Sequence, residues 1–96
     1  MVMAAVIRLG VESIEQGPQG KAVCVARCLG EQVSVGDFLS TAIFEDGTST
    51  KVDPRIVMIL RYERPVELLD PPHSAKIELA GVGGLEGVRE LQGCLP

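Results

Sequence analysis

The chain has few aromatic side chains. Its 96 residues include no tryptophan, one tyrosine and two phenylalanines, although 46% of the residues are hydrophobic. The core must therefore be mostly aliphatic, built from Val, Ile, Leu and Ala. Proteins that bind single-stranded nucleic acid stack bases on aromatic rings, so this shortage counts against such a function. The net charge of −4 also counts against it, because a general nucleic-acid binder needs a basic surface.

Long apolar runs are also absent. No uncharged apolar stretch reaches the ~18 residues that a membrane-spanning helix needs, so we expect no membrane association. The apolar segment 1–7 lacks the basic residues that begin a signal peptide. The three cysteines are an odd number, which fits a reducing compartment better than a set of disulfides. These features predict a cytoplasmic protein.

Motifs for catalysis, cofactors and metals are missing as well. The sequence contains no phosphate-binding G-x-x-x-x-G-K-[ST] motif. Cys24 and Cys28 fall on one predicted strand, which places their Cα atoms about 13 Å apart at ~3.3 Å per residue. That separation prevents them from sharing a metal ion or forming a disulfide with each other. We predict no metal site, no cofactor and no catalytic residue. A thiol enzyme pairing Cys28 or Cys94 with His73 is disfavoured, because His73 lies on a proline-rich loop expected to be exposed.

Short β-forming segments fill the chain instead. Eleven glycines and six prolines divide it into pieces too short for long helices. Residues 4–14 alternate, which predicts a strand with one buried face. That face carries four apolar residues: Ala5, Ile7, Leu9 and Val11. Residues 75–79 alternate in the same way. The sequence predicts one all-β domain over residues 1–96.

The second predicted strand, 21–29, differs in the size of its two faces. One face carries only small residues: Ala22, Cys24, Ala26 and Cys28. Small side chains suit the crowded interior of a narrow barrel. After the third predicted strand, 37–44, Asp46–Gly47 favours a tight turn with a return strand over 49–52. Together these features predict a small closed antiparallel β-barrel of about six strands.

The segment 29–39 connects two of these strands. Val33 and Val35 lie two residues apart, so we expect both to enter the core. Gly36 permits a backbone conformation that other residues avoid. Asp37 can accept a hydrogen bond from a backbone N–H and so stabilise the turn.

The order of the segments resembles domain II of the translational GTPases, the β-barrel of elongation factor Tu and its relatives. The family's V-x-V-G-D-x-L segment corresponds to 33–39, and its A-x-V-x-L-x-G strand to 75–81. Its apolar strand followed by charged residues corresponds to 51–61, and its closing strand to 88–95. The resemblance implies a β-barrel. Because the phosphate-binding motif is missing, we expect this barrel to stand without a GTPase domain. In the family this barrel contacts ribosomal RNA or aminoacylated tRNA ends, but the residues of those contacts have no match in this sequence.

The predicted strand 55–64 offers a candidate binding surface. Alternation places Ile56, Met58, Leu60 and Tyr62 on one face. The other face carries Arg55, Val57, Ile59 and Arg61. One interpretation is a central strand covered on both sides. The other is a half-exposed stripe of these last four residues that binds a partner or a second copy of the chain.

Three functions are compatible with these features. The first is a non-enzymatic β-barrel binding module whose partner is a protein, with a homodimer as one form. The second is an RNA- or ribosome-associated accessory barrel, which rests on fold analogy alone and is disfavoured by the acidic charge. The third is the small thiol-dependent enzyme.

Overall fold

A computed structural model describes residues 6–81 and 83–94 of the chain. Within these ranges it shows strands, turns and loops, and no helix of the length and hydrophobicity needed to cross a bilayer. The described residues form ten strands: β1 Val6–Gln16, β2 Ala22–Cys28, β3 Val33–Ser34, β4 Thr41–Phe44, β5 Ser49–Lys51, β6 Arg55–Arg61, β7 Arg64–Val66, β8 Leu68–Leu69, β9 Ser74–Ala80 and β10 Val88–Cys94. The predicted all-β class is confirmed, while the number of strand segments exceeds the predicted six.

Eight of the strands form one antiparallel sheet. Their order is β5-β4-β10-β1-β2-β9-β6-β7, and β3 pairs separately with β8. The segment 36–40, which leads into β4, is hydrogen-bonded to residues 52–56, which lead into β6. Gly36 N donates to Ile56 O over 2.7 Å, and Leu39 N donates to Pro54 O over 2.9 Å. β4 and β6, each next to an end strand in the sheet order, are therefore linked through their entering segments.

Three long strands each contain one residue more than the strand paired with them. The extra residue interrupts the alternation of side chains between the two faces. These residues are Glu12 in β1, Val57 in β6 and Arg89 in β10. A β-bulge of this kind places residues three apart on the same side of the sheet. Three apolar pairs with this spacing turn toward the core: Val11 and Ile14, Ile56 and Ile59, Val88 and Leu91. Among the described residues, the single buried face predicted for 4–14 is correct from Ile7 to Val11 and changes phase after it.

The core lies on the inner face of the main sheet. The small residues of β2 are buried there, as predicted: Ala22, Cys24, Ala26 and Cys28. Ile77 of β9 pairs with Cys24 on one side and with Ile59 of β6 on the other. All three side chains are almost fully enclosed. The narrow β2 side chains leave room for the larger aliphatic residues on the neighbouring strands.

The turn before β4 follows the prediction only in part. Gly36 has φ +97°, and Asp37 Oδ2 accepts a hydrogen bond from Ser34 N over 2.8 Å, so both predicted roles are confirmed. Val33 is fully buried, but Val35 is 38% exposed. The prediction that both valines enter the core is wrong, because Val35 lies in the turn, where strand alternation no longer applies.

Two further boundaries differ from the prediction. The third strand begins at Thr41 rather than at residue 37, because 36–40 pairs with 52–56 instead of joining β4. The strand predicted over 55–64 ends at Arg61. Pro65 lies inside the edge strand β7, where a missing backbone N–H is tolerated. The predicted strand positions Ala5 and Leu95 lie outside the described residues.

Candidate binding groove

The four residues predicted to share one face of β6 do not form one surface. Ile59 is 0% exposed and belongs to the core, whereas Val57 is 37% exposed. The bulge at Val57 reverses the alternation between these two positions. Arg55 and Arg61 begin and end the strand, ~20 Å apart at ~3.3 Å per residue. The prediction of a shared face is therefore wrong, while a binding role for the exposed members stays a prediction.

The two arginines face different hollows. Arg55 borders a small depression of about 230 Å³ together with Phe38 and Asp53. Arg61 borders a much larger groove of about 820 Å³ at the other end of β6. This larger groove, which we call the β2–β9–β6 groove, is the main candidate for a ligand site.

The β2–β9–β6 groove crosses three neighbouring strands. Val25 pairs with Lys76, and Lys76 pairs with Leu60, so these three residues form a row across the sheet. With strands ~4.8 Å apart, the row is about 10 Å wide. The groove is bordered by the β6–β7 turn and by the loop before β9. This width accommodates an extended chain rather than a globular surface.

The loop before β9 is held against the end of β2 by backbone contacts. Cys28 N donates to His73 O over 2.9 Å, and His73 N donates to Asp70 O over 3.0 Å. The imidazole Nδ1 lies 3.2 Å from the same Asp70 oxygen. The loop therefore presents His73 to the groove in a defined position.

The β6–β7 turn has an unusual backbone. Tyr62 and Glu63 both adopt positive φ, +51° and +63°. Two successive left-handed residues are the pattern of a two-residue hairpin turn that normally contains Asn-Gly. The turn projects the Tyr62 ring outward, where 88% of the residue is exposed. The guanidinium carbon of Arg61 lies 5.6 Å from the ring centroid, within cation–π range.

Positive charge dominates the groove although the chain is acidic. Arg27, Arg61 and Lys76 line it against a single carboxylate, Glu63. Among the residues that the structure describes, none of these three cations forms a salt bridge. Three acidic residues border a separate hollow near the β4–β5 turn: Glu45, Asp46 and Glu86. The groove is therefore a locally basic surface whose cations are not neutralised by a salt bridge within the described residues.

Two of the three cysteines, Cys24 and Cys28, are poorly placed for nucleophilic chemistry. Burial raises the pKa of Cys24 to about 12 and also raises the pKa of Cys28. The Cys28 thiol donates a hydrogen bond to Glu31 O over 3.2 Å. A thiol held in its neutral form is a weak nucleophile. In the described part of the chain, no group of three His, Cys, Asp or Glu side chains is arranged to hold a metal ion.

The chain is similar to known proteins in its structure and not in its sequence. No family model and no curated protein matches the chain. The fold matches the crystal structure of translation elongation factor SelB from Methanococcus maripaludis in its apo form, with a TM-score of 0.69. The match covers 91% of this chain and 18% of SelB at 14% sequence identity. The predicted likeness to a translation-factor domain is confirmed at the level of the fold.

Sequence reasoning identifies Arg61 but misses the rest of the groove. Arg27 and Lys76 are visible as charged positions on alternating strands, but nothing in the sequence places β2 beside β9 and β9 beside β6. Alternation alone puts Tyr62 on the face of β6 that carries Ile56. Because the Tyr-Glu pair is not a typical turn sequence, no local signal indicates that the chain reverses there.

Proposed function

We propose that the protein is a non-enzymatic binding module that associates with RNA through the β2–β9–β6 groove. The observation that carries this proposal is a set of three cations in the groove that form no salt bridge among the described residues: Arg27, Arg61 and Lys76. The likeness to a translation-factor domain supports the same function, placed in the cytoplasm and near the ribosome.

The local charge makes RNA binding compatible with an acidic chain. Phosphate contacts come from Lys and Arg side chains and supply most of the affinity of non-specific nucleic-acid binding. Such contacts depend on charges within about one Debye length, ~8 Å at physiological ionic strength. The acidic residues near the β4–β5 turn belong to another part of the sheet and act on the groove only weakly.

We also propose that the main sheet closes into a six-stranded barrel. The order of its members is β4-β10-β1-β2-β9-β6, and the closing contact runs between segments 36–40 and 52–56. The hydrogen bonds between these segments support closure, as does the isolated bridge between Phe38 and Arg55. A closed barrel would fix the spacing of β2, β9 and β6, and hence the width of the groove.

Fluorescence anisotropy with a labelled single-stranded RNA tests the RNA proposal. Wild-type protein should bind at low salt, and binding should weaken as salt rises. Reversing charge at Arg61→Glu and Lys76→Glu should weaken binding and reduce the salt slope by about 0.7 per lost phosphate contact. Arg55→Glu is the matched control, since it changes the same charge on the same strand outside the groove. Failure to bind at low salt, or equal losses for Arg55→Glu and Arg61→Glu, would contradict the proposal.

Self-association is a second candidate function, supported by an apolar surface. Three segments linked by backbone hydrogen bonds, 35–38, 56–58 and 67–68, carry exposed large apolar residues. These residues are Val35, Phe38, Val57, Met58 and Leu68. Exposed apolar patches mark protein contact sites when they are contiguous. Light scattering should show a dimer that Val57→Glu disrupts and that Val6→Glu, at an exposed valine on β1, leaves intact. A strict monomer at high concentration would exclude this function.

A further inference from the structure

The geometry points to Tyr62 as a stacking platform for an unpaired base, which makes the ligand of the groove single-stranded RNA. This inference rests on the proposed RNA-binding function and adds the form of the RNA that the groove selects. It also assigns a binding role to a residue at the tip of a turn, in addition to the three cations of the groove.

The exposure of Tyr62 is the first observation. The residue is 88% exposed, compared with 60% for Phe38. Its ring borders the groove rather than packing into the core. A single exposed aromatic residue is common on protein surfaces, so exposure alone would carry no argument. Its position beside three cations that form no salt bridge among the described residues gives the exposure significance.

The backbone of the turn is the second, independent observation. Tyr62 and Glu63 both occupy the left-handed region, which is unfavourable for residues with a Cβ atom. An Asn-Gly pair would form the same two-residue turn without this strain. Strain of this kind, held in place by the surrounding structure, is characteristic of functional sites. The strained turn places the tyrosine ring at the edge of the groove.

The surroundings of the ring fit a nucleotide. The guanidinium group of Arg61 lies over the Tyr62 ring at 5.6 Å, which restrains the orientation of the ring. A base stacked on the exposed ring would lead its phosphates toward Lys76 and Arg27 on the floor of the groove. Single-strand binders combine these two elements, a basic channel and aromatic rings. Bases inside a duplex are already stacked on both faces, so the platform favours unpaired RNA.

Binding by four variants tests the inference. The probes are labelled oligoadenylate, labelled oligouridylate and an RNA duplex of similar length. Tyr62→Ala should weaken oligoadenylate binding roughly 5- to 150-fold, the range expected for the loss of one base–aromatic stack. Tyr62→Phe should retain wild-type affinity, because phenylalanine keeps the ring. Phe38→Ala is the matched control and should bind as wild type does.

The fourth variant separates binding from folding. Tyr62→Asn should raise the urea midpoint, because asparagine tolerates the left-handed conformation better than tyrosine does. The same variant should bind oligoadenylate as weakly as Tyr62→Ala does, because it removes the aromatic ring and keeps Glu63. A protein that is more stable and yet binds less cannot owe its lost affinity to misfolding.

The outcomes distinguish the inference from the proposed function. If wild-type protein binds RNA and Tyr62→Ala binds equally well, the stacking role of Tyr62 is wrong. The proposed binding of RNA by the cations of the groove would then still hold. Equal affinity for duplex and single strand would also overturn the stacking role. If wild-type protein binds none of the probes at low salt, the proposed function fails and the inference fails with it. Support requires a preference for single strands that Tyr62→Ala loses and Tyr62→Phe keeps.

Discussion

Gly93 in β10 lies directly against the segment that leads into β4. A Cβ atom at this position would stand 2.6 Å from Phe38 O and 3.2 Å from Leu39 Cα. Both are backbone atoms, so they cannot rotate away as the end of a flexible side chain would. Gly93→Ala therefore forces the segment 36–40 away from β10.

The cost of this displacement follows from the contacts that the segment makes. Forcing extra atoms into a packed site costs about 1–3 kcal/mol, and a backbone obstacle places this site at the upper end. Moving the segment also strains the hydrogen bond from Leu39 N to Pro54 O, 2.9 Å long, which contributes about 1 kcal/mol. We expect Gly93→Ala to lower the free energy of unfolding by about 3 kcal/mol. A domain of this size has roughly 5–10 kcal/mol in total.

Urea unfolding followed by circular dichroism measures the effect, with two other glycines as controls. A Cβ atom added at Gly83 would meet no heavy atom within 4 Å, and its φ is not positive, so Gly83→Ala should change stability by less than about 0.5 kcal/mol. Gly47 is equally open but has φ +87°, so Gly47→Ala should cost about 1 kcal/mol from backbone strain alone. If Gly93→Ala unfolds within about 0.5 kcal/mol of wild type, as roughly neutral surface changes do, the segment 36–40 does not lie against β10.

Three further predictions concern the core, the surface ion pair and the cysteines. Ile77→Ala should lower the free energy of unfolding by about 2–5 kcal/mol in the same urea assay, because Ile77 is fully buried between two strands. The hydrogen bond from Arg8 holds the pKa of Glu90 below its ordinary 4.5. Glu90→Gln should therefore be less stable than wild type at neutral pH, and the difference should vanish as the pH falls through the lowered pKa. Mass spectrometry after alkylation of native protein should find Cys94 modified first and Cys24 only after unfolding, since Cys24 is buried with a pKa of about 12. Equal modification rates would contradict the buried position of Cys24.

The strands that the sequence predicts well are those whose alternation is unbroken. β2 has small buried residues on one face over its whole length, and β9 alternates from Ala75 to Leu79 without a bulge. In both, a period of two along the sequence matches the pleat of the strand. The Asp46–Gly47 turn is predictable for a similar reason, because its conformation needs the glycine that the sequence provides.

The bulges account for the main errors in the predicted faces. A bulge shifts every later side chain to the opposite face, so one extra residue at Val57 moves Ile59 from the predicted surface into the core. The sequence does carry a signal for it, since Ile56 and Ile59 are apolar and three apart. The same spacing occurs at Val11 and Ile14. On its own, however, it also fits a helical period, so a single sequence does not decide between the two.

The groove could not be derived from the sequence because it depends on strand pairing. Its floor brings together Val25, Leu60 and Lys76, which are far apart along the chain and meet only through the registers of β2 with β9 and of β9 with β6. Its aromatic edge depends on Tyr62, which occupies a turn position that turn preferences would assign to asparagine. The segments that follow strand alternation and turn preferences form the scaffold. The candidate site depends on strand pairing and on a turn that departs from those preferences.

An NMR titration of ¹⁵N-labelled protein with single-stranded RNA tests most directly whether the β2–β9–β6 groove binds the ligand. The predicted result is a set of amide shift changes concentrated at Arg27, Tyr62 and Lys76, with the amides of Phe38 and Arg55 unmoved. Shift changes centred on Phe38 and Arg55, or no changes at low salt, would contradict RNA binding in the groove.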